Sequence, residues 1–195
     1  MRPERPVYAP RAGATGVRKL FRRLMVLVFV VNILVAAGVP VYVHPQLDQP
    51  RHADAILILS GPYHDRYPFG FELAEEGFAP HVVVSNPNGA ASPRLTQYCA
   101  TPHPRFTVYC FAPDPPTTKG EARELRRLVS EYGWHTVIVV TFRPHISRAR
   151  YILEKCFDGA LVMVANPTHI TGRRWVYEYF YQTAGYVRAV LQPGC

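Results

Sequence analysis

Four short polar groups in this chain have the residue types and spacing to do chemistry. Ser60-Gly61 with Arg66 follows one apolar run, and Ser85-Asn86 ends a second. Thr117-Thr118 with Glu121 follows a third, and Thr141 with His145 and Arg148 follows a fourth. His145 and Arg148 are spaced to share a face in the first turn of a helix. Two side chains able to carry positive charge, beside the unpaired N–H groups of a helix start, make a site for an anion. Glu121 is the one acid of the set and suits an acid/base role or a partner for an arginine. On this reading Glu121 and His145 are catalytic, and Ser60, Arg66, Ser85, Thr118 and Arg148 bind a ligand. Each residue also has a plainer reading. Thr118-Lys119-Gly120-Glu121 spells a capping box, in which both side chains only close a helix start. His145 fits a surface or capping residue, Arg148 a surface ion pair and Ser85 a strand-end hydroxyl.

Other chemistries lack their signatures. There is no G-x-G-x-x-G, Walker A, H-E-x-x-H or G-x-S-x-G sequence, and the eight histidines are scattered, so no metal site is expected.

The elements that must position the polar groups alternate along the chain. Residues 53–59 (ADAILIL), 81–85 (HVVVS), 106–111 (FTVYCF), 136–141 (TVIVVT) and 160–165 (ALVMVA) read as strands covered on both faces. The spacing predicts helices over 65–77, 119–132, 144–157 and 173–191, with Asp65 a plausible cap and Gly77 a stop. This alternation implies an α/β domain with a mostly parallel five-stranded sheet between helical layers. Ligands of such sheets sit outside the carboxyl ends of the strands, where the four polar groups fall. The aromatic side chains of 173–191, Trp175 to Tyr186, are expected to pack that helix on the sheet. Residues 86–105 carry four prolines and no period, and read as a long irregular loop.

The composition is 22 Lys+Arg against 14 Asp+Glu, a net charge of +8. Seven of the basic residues and only one acid (Glu4) fall in residues 1–23, a basic tail whose first 17 residues read as disordered. The remainder is nearly neutral, which gives no case for nucleic acid as a partner. Residues 24–43 (LMVLVFVVNILVAAGVPVYV) are uncharged and long enough for a helix to cross a bilayer. Arg18, Lys19, Arg22 and Arg23 precede this run, so the tail is expected in the cytoplasm and residues 44–195 outside the plasma membrane. Val35-Ala36-Ala37 resembles a signal-peptide cleavage site, but the apolar run exceeds a signal peptide's core and continues past it, favouring an uncleaved anchor. Residues 44–195 suffice for one domain, with 43–51 as a short tether.

Four cysteines, Cys99, Cys110, Cys156 and Cys195, fall on the outer side, where disulfides form. Cys99–Cys110 would tie the irregular loop to the third strand. Cys156 could meet Cys195 or remain a buried thiol.

Several of these segments together resemble the YdcF/SanA/ElyC-like family, the domain of unknown function 218. The similarity runs through the 53–61 strand, Arg66, Gly77-Phe78-Ala79-Pro80 and Thr117-Thr118-Lys119-Gly120-Glu121-Ala122. It continues through the segment from Val140 to Ala149, which contains the family's His-x-x-Arg-Ala, and through Trp175 with Glu178. The resemblance implies a three-layer, Rossmann-like domain, often behind a membrane anchor. It implies a polar site at Arg66, Thr118, Glu121, His145 and Arg148. It also implies a link to envelope integrity, peptidoglycan and lipid-carrier pathways, with S-adenosylmethionine binding in one cytosolic relative. Ser60-Gly61-Pro62 and Ser85-Asn86-Pro87 replace glycine-rich runs of the family, and fewer glycines speak against a nucleotide-like ligand.

The expected function is therefore a membrane-anchored domain that binds or processes an anionic envelope ligand, such as a lipid-carrier phosphate or a peptidoglycan precursor. The alternative is a non-catalytic scaffold that uses the 86–105 loop and the aromatic helix. The sequence names no cofactor and no oligomeric state.

Overall fold

The computed structural model describes residues 14–195, and the expected disordered tail falls mostly outside that range. Its last residues, 14–17, are instead the first turn of α1 (Ala14–Gly38), an extension of the long apolar helix rather than a product of their own propensity, since Thr15, Gly16 and Val17 are poor helix formers. The chain divides into two compact units, Met1–Gly38 and Val39–Cys195.

In the first unit, α1 exposes its large apolar side chains from Val17 to Val35, as a lipid-facing helix does and a core helix does not. Asn32, the one polar residue of the apolar run, donates Nδ2 to the Val28 carbonyl at 2.8 Å, so its polar group is satisfied within the helix. Among the described residues, one stretch, Gly16–Val43, is long and apolar enough to cross a membrane.

The second unit is built on β1 (Ala55–Ile58), β2 (His81–Ser85), β3 (Thr107–Phe111), β4 (Thr136–Thr141) and β5 (Ala160–Ala165). All four pairings are parallel, in the order β3-β2-β1-β4-β5. The order reverses beside β1, so the ends of β1 and β4 flank the topological switch point where such folds bind ligands. Helices α2 (Arg66–Glu75) and α3 (Pro93–Ala100) cover one face, and α4 (Thr118–Tyr132) and α5 (Ile146–Leu153) the other. Strand alternation explains the two layers. Ala55, Leu57 and Leu59 enter the α4–α5 core, while Ile56 and Ile58 enter the α2–α3 core. The last helix, α6, spans Gly172–Leu191.

Four local expectations change. β3, at one edge of the sheet, is half-exposed rather than buried, whereas β5 at the other edge is covered. Asp65 stands at the start of α2 but makes no capping bond, and its carboxylate accepts from Thr168 Oγ1 at 3.3 Å. The region read as a loop contains α3. Pro93 suits the first turn of that helix, Leu95 is buried, and Tyr98 stacks on Phe71 with ring centres 5.0 Å apart. One buried side chain makes no period, and tertiary contact supplies the stability instead. The tether is also docked: Asp48 N–H donates to the Met163 carbonyl at 3.0 Å, and its carboxylate holds Arg150 at 2.6 Å.

Both cysteine pairs are bonded. Cys99–Cys110 joins α3 to β3, and Cys156–Cys195 joins the end of α5 to the segment after α6. Loop closure in the unfolded chain makes the two bridges worth about 3 and 4 kcal/mol. Removing Cys156–Cys195 by paired Ser substitutions should therefore destabilise the domain more than removing Cys99–Cys110, read as the midpoint shift in urea unfolding.

Candidate functional site

Three of the four polar groups at the strand ends meet, those after β1, β3 and β4, and Arg66 is at their centre. It is fully buried. Its Nη1 donates to the carbonyls of Leu59 (3.1 Å) and Ser60 (2.9 Å), and Nε to that of Tyr63 (2.8 Å). Nη1 also reaches Thr141 Oγ1 at 3.4 Å. These carbonyls leave the end of β1 with no further strand to bond, and the guanidinium supplies their donors. Among the described residues, Nη2 has no hydrogen-bond partner. Gly61 is required by this packing, since a Cβ there would lie 2.6 Å from Nη1 and 2.8 Å from Nη2.

From Thr141 the contacts continue to His145 and Thr118. Thr141 Oγ1 lies 3.0 Å from His145 Nδ1, and Thr118 Oγ1 lies 3.3 Å from His145 Nε2. His145 is buried where a short 3-10 turn, Arg143–His145, enters α5. Burial, together with the charges of Arg148 and Arg66, holds its imidazole well below the ordinary histidine value. It is therefore neutral at pH 7. The expectation of a second cation beside Arg148 gives way to a neutral ring with one nitrogen as proton acceptor.

The capping box does not form. Thr117 holds the cap position with no side-chain bond, and Thr118 is spent on His145. Glu121 Oε1 instead accepts from Ser60 N–H at 2.7 Å and Ser60 Oγ at 2.8 Å, across the sheet edge. Five of the expected site residues are thus joined by short contacts: Ser60 with Glu121, Arg66 with Ser60, and Thr118 with His145. Arg148 sits apart, donating Nε to Gln182 Oε1 at 2.8 Å. Burial lowers its basicity, though an arginine keeps its charge. Ser85 is fully buried, its hydroxyl has no partner among the described residues, and it does not line the cleft described next.

A cleft of about 880 Å³ opens over this edge, with Ser60, Thr118, His145 and Arg148 in its walls. Its lining also holds Lys119, Arg123, Lys155, Arg174 and Arg188, and among the described residues Glu178 supplies its single side-chain carboxylate. That carboxylate is committed: Arg174 pairs with it at 2.7 Å and Gln182 donates to it at 2.8 Å. Lys155 is committed to the Ala189 and Gln192 carbonyls, at 2.6 and 2.9 Å. Lys119, Arg123 and Arg188 have no ion-pair partner among the described residues, which leaves the cleft electropositive. These three and Gln182 were absent from the sequence-level set. Lys119/Arg123 and Glu178/Gln182 each stand four apart, a spacing that marks a shared helix face but not which cavity it meets. Among the described residues no group of three or more His, Cys, Asp or Glu is placed to hold a metal.

Comparison with family models, curated proteins and solved structures returns no match to this chain.

The geometry fixes two outcomes. An unfolded histidine takes up its proton near pH 6.5, whereas buried His145 does so only at lower pH, so stability falls as pH drops below about 6.5. The limiting slope for one such group is about 1.4 kcal/mol per pH unit. His81, also lowered by burial, adds a part. Urea unfolding at pH 7.5 and 5.5 should show that His145→Gln removes most of the difference, while an NMR titration placing His145 near 6.5 would contradict the account. Gly61→Ala should cost about 2 kcal/mol or more in the same assay, because the guanidinium is tied to its carbonyls and cannot swing aside.

Proposed function

We propose that this chain is a plasma-membrane-anchored protein with its basic tail in the cytoplasm and its α/β domain outside. We further propose that the domain binds or processes an anionic ligand of the cell envelope, a lipid-carrier phosphate or a peptidoglycan precursor. The observation that carries the reading is the cleft at the switch point, which Arg148, Lys119, Arg123 and Arg188 line together with a neutral histidine and, among the described residues, no unpaired side-chain carboxylate. Such a cavity suits a phosphate or carboxylate head with a moderately sized body. The arginine- and lysine-rich approach to the apolar helix supports the orientation, and the two disulfides support an oxidising compartment. The resemblance to an envelope-linked family points the same way.

The residues divide the work by their contacts. Arg148 and the three unpaired cations hold the anion. His145, neutral and 3.3 Å from Thr118 Oγ1, takes a proton from that hydroxyl or from a water it positions. Glu121 is occupied by Ser60, and it keeps the β1 turn in place rather than meeting the ligand directly. Arg66 fixes Thr141 and through it His145.

The test uses the full chain in lipid nanodiscs, titrated with a short isoprenyl phosphate, the matching isoprenol and a soluble peptidoglycan precursor. One of the anionic probes should bind in a salt-sensitive way, and Arg148→Gln should weaken it about tenfold, a loss of about 1.4 kcal/mol. Equal binding of phosphate and alcohol, with no binding of the precursor, overturns the reading.

A further inference from the structure

The amphipathicity of α6 is inverted. Its fully buried positions are polar, Glu178 and Gln182, and only Ala189 joins the apolar core. Val176, Phe180, Val187 and Leu191 recur at helical spacing on the opposite side and are 60%, 75%, 53% and 74% exposed. The aromatic residues expected to pack this helix on the sheet are placed otherwise: Tyr186 stacks on Tyr151 of α5, Tyr179 meets Tyr42, and Tyr177, Phe180 and Tyr181 stand exposed. The buried carboxylate and amide are used to hold Arg174 and Arg148 at the cleft. That use explains the polar inside but not the apolar outside. A helix with bulky apolar groups turned outward belongs against a non-aqueous surface.

The chain itself says which surface. One flank of α6 is docked on Val39–Val43, the last residues of the stretch able to cross a membrane. The Tyr42 hydroxyl lies 2.9 Å from Thr183 Oγ1, and its ring meets Tyr179 edge-on at 5.2 Å. An apolar groove of about 580 Å³ lies along the same flank, between Val41 and Val190. Val39–Tyr42 follows Gly38 directly and spans at most about 14 Å even when fully extended. A helix held on these residues is therefore kept at the bilayer surface by the covalent chain. Arg173, exposed three residues before Val176, suits anionic headgroups.

We propose that α6 lies in the interface of the outer leaflet, with Val176, Phe180, Val187 and Leu191 inserted among the lipids. The occupant of this face is the membrane to which the chain is anchored. The inference rests on the anchoring part of the proposed function and not on the identity of the cleft's ligand. Its consequence is positional: Tyr177, Tyr181 and Arg188 of the same helix line the cleft, so the cleft opens beside the headgroups.

All four native cysteines are bonded, so an added cysteine can be labelled alone. Phe180→Cys, Val30→Cys and Arg126→Cys, each carrying an environment-sensitive fluorophore, are placed one at a time in the full chain. The proteins are reconstituted in vesicles of phosphatidylcholine and phosphatidylglycerol containing a spin-labelled lipid quencher. Val30 reports the span, Phe180 the crest, and Arg126 an exposed position on α4. The label at 180 should lose about half its emission or more to a quencher placed at shallow acyl depth, matching insertion by about 5–10 Å, while that at 126 is unaffected. Quenching at 30 but not at 180, with iodide reaching 180 from water, overturns the docking and leaves the anchor standing. No quenching at 30 removes the anchor, and the docking falls with it. Shielding at 180 from both quenchers, with energy transfer rising with protein density, assigns the face to a second copy and likewise overturns the proposal.

Discussion

Where a parallel strand ends beneath covering helices, its last carbonyls have neither a neighbouring strand nor water to donate to them. In this domain the problem falls on Leu59 and Ser60, at the end of the central strand, and one side chain solves it. Arg66 is buried with its guanidinium fanned over three carbonyls and a hydroxyl. A buried charge is tolerable when acceptors surround it, and these acceptors supply that condition. The constraint then spreads outward. Gly61 must lack a side chain, Thr141 is fixed by Nη1, and His145 is fixed by Thr141. The proposed proton acceptor thus depends on a contact network that begins at a strand end.

The proposed anion preference of a nearly neutral domain rests on the same edge. Six of the domain's lysines and arginines line one cleft, where Glu178 supplies the only side-chain carboxylate among the described residues. The acid within that cleft is paired, and the acid beneath it is hydrogen-bonded to a serine. His145 contributes no charge because burial and two nearby arginines keep its proton off. In the proposed function, charge and proton acceptor are therefore separated: arginines and lysines would provide the attraction, and the uncharged ring of His145 would accept the proton. The buried polar face of α6 belongs to this design, because Glu178 and Gln182 set the orientation of Arg174 and Arg148. Placing them inside leaves the helix to present Phe180 and Leu191 outward.

Much of this was legible before any coordinates. Five strands alternating with helices define the parallel sheet, because a strand covered on both faces reads as an unbroken apolar run. Parallel strands then send every strand-end polar group to one edge, which is why Ser60, Thr118, Glu121 and His145 could be grouped from spacing alone. The apolar run before the domain was equally plain, since length and lack of charge are properties of the chain. The cysteines were candidates by type, and their pairing required positions in space. Residues 86–105 were misread because α3 buries little more than Leu95 and takes its support from Tyr98 and Cys99, contacts that leave no period.

By itself the sequence determined the order and kind of the elements, the apolar helix and the set of residues from which a site could be made. The tertiary structure decided what those residues are for. Glu121 could turn back to cap its own helix or reach across to Ser60, and nothing local distinguishes the two. His145 could be a surface cation or a buried neutral ring, and only the packing of Thr118, Thr141 and Arg66 around it chooses. Which face of α6 turns inward was likewise set by Arg148 of α5, which donates to Gln182. The physical reason is common to all three. Helix and strand preferences act over a few residues, whereas burial, protonation and hydrogen-bond partnership depend on segments far apart in the chain that meet only when the sheet has formed.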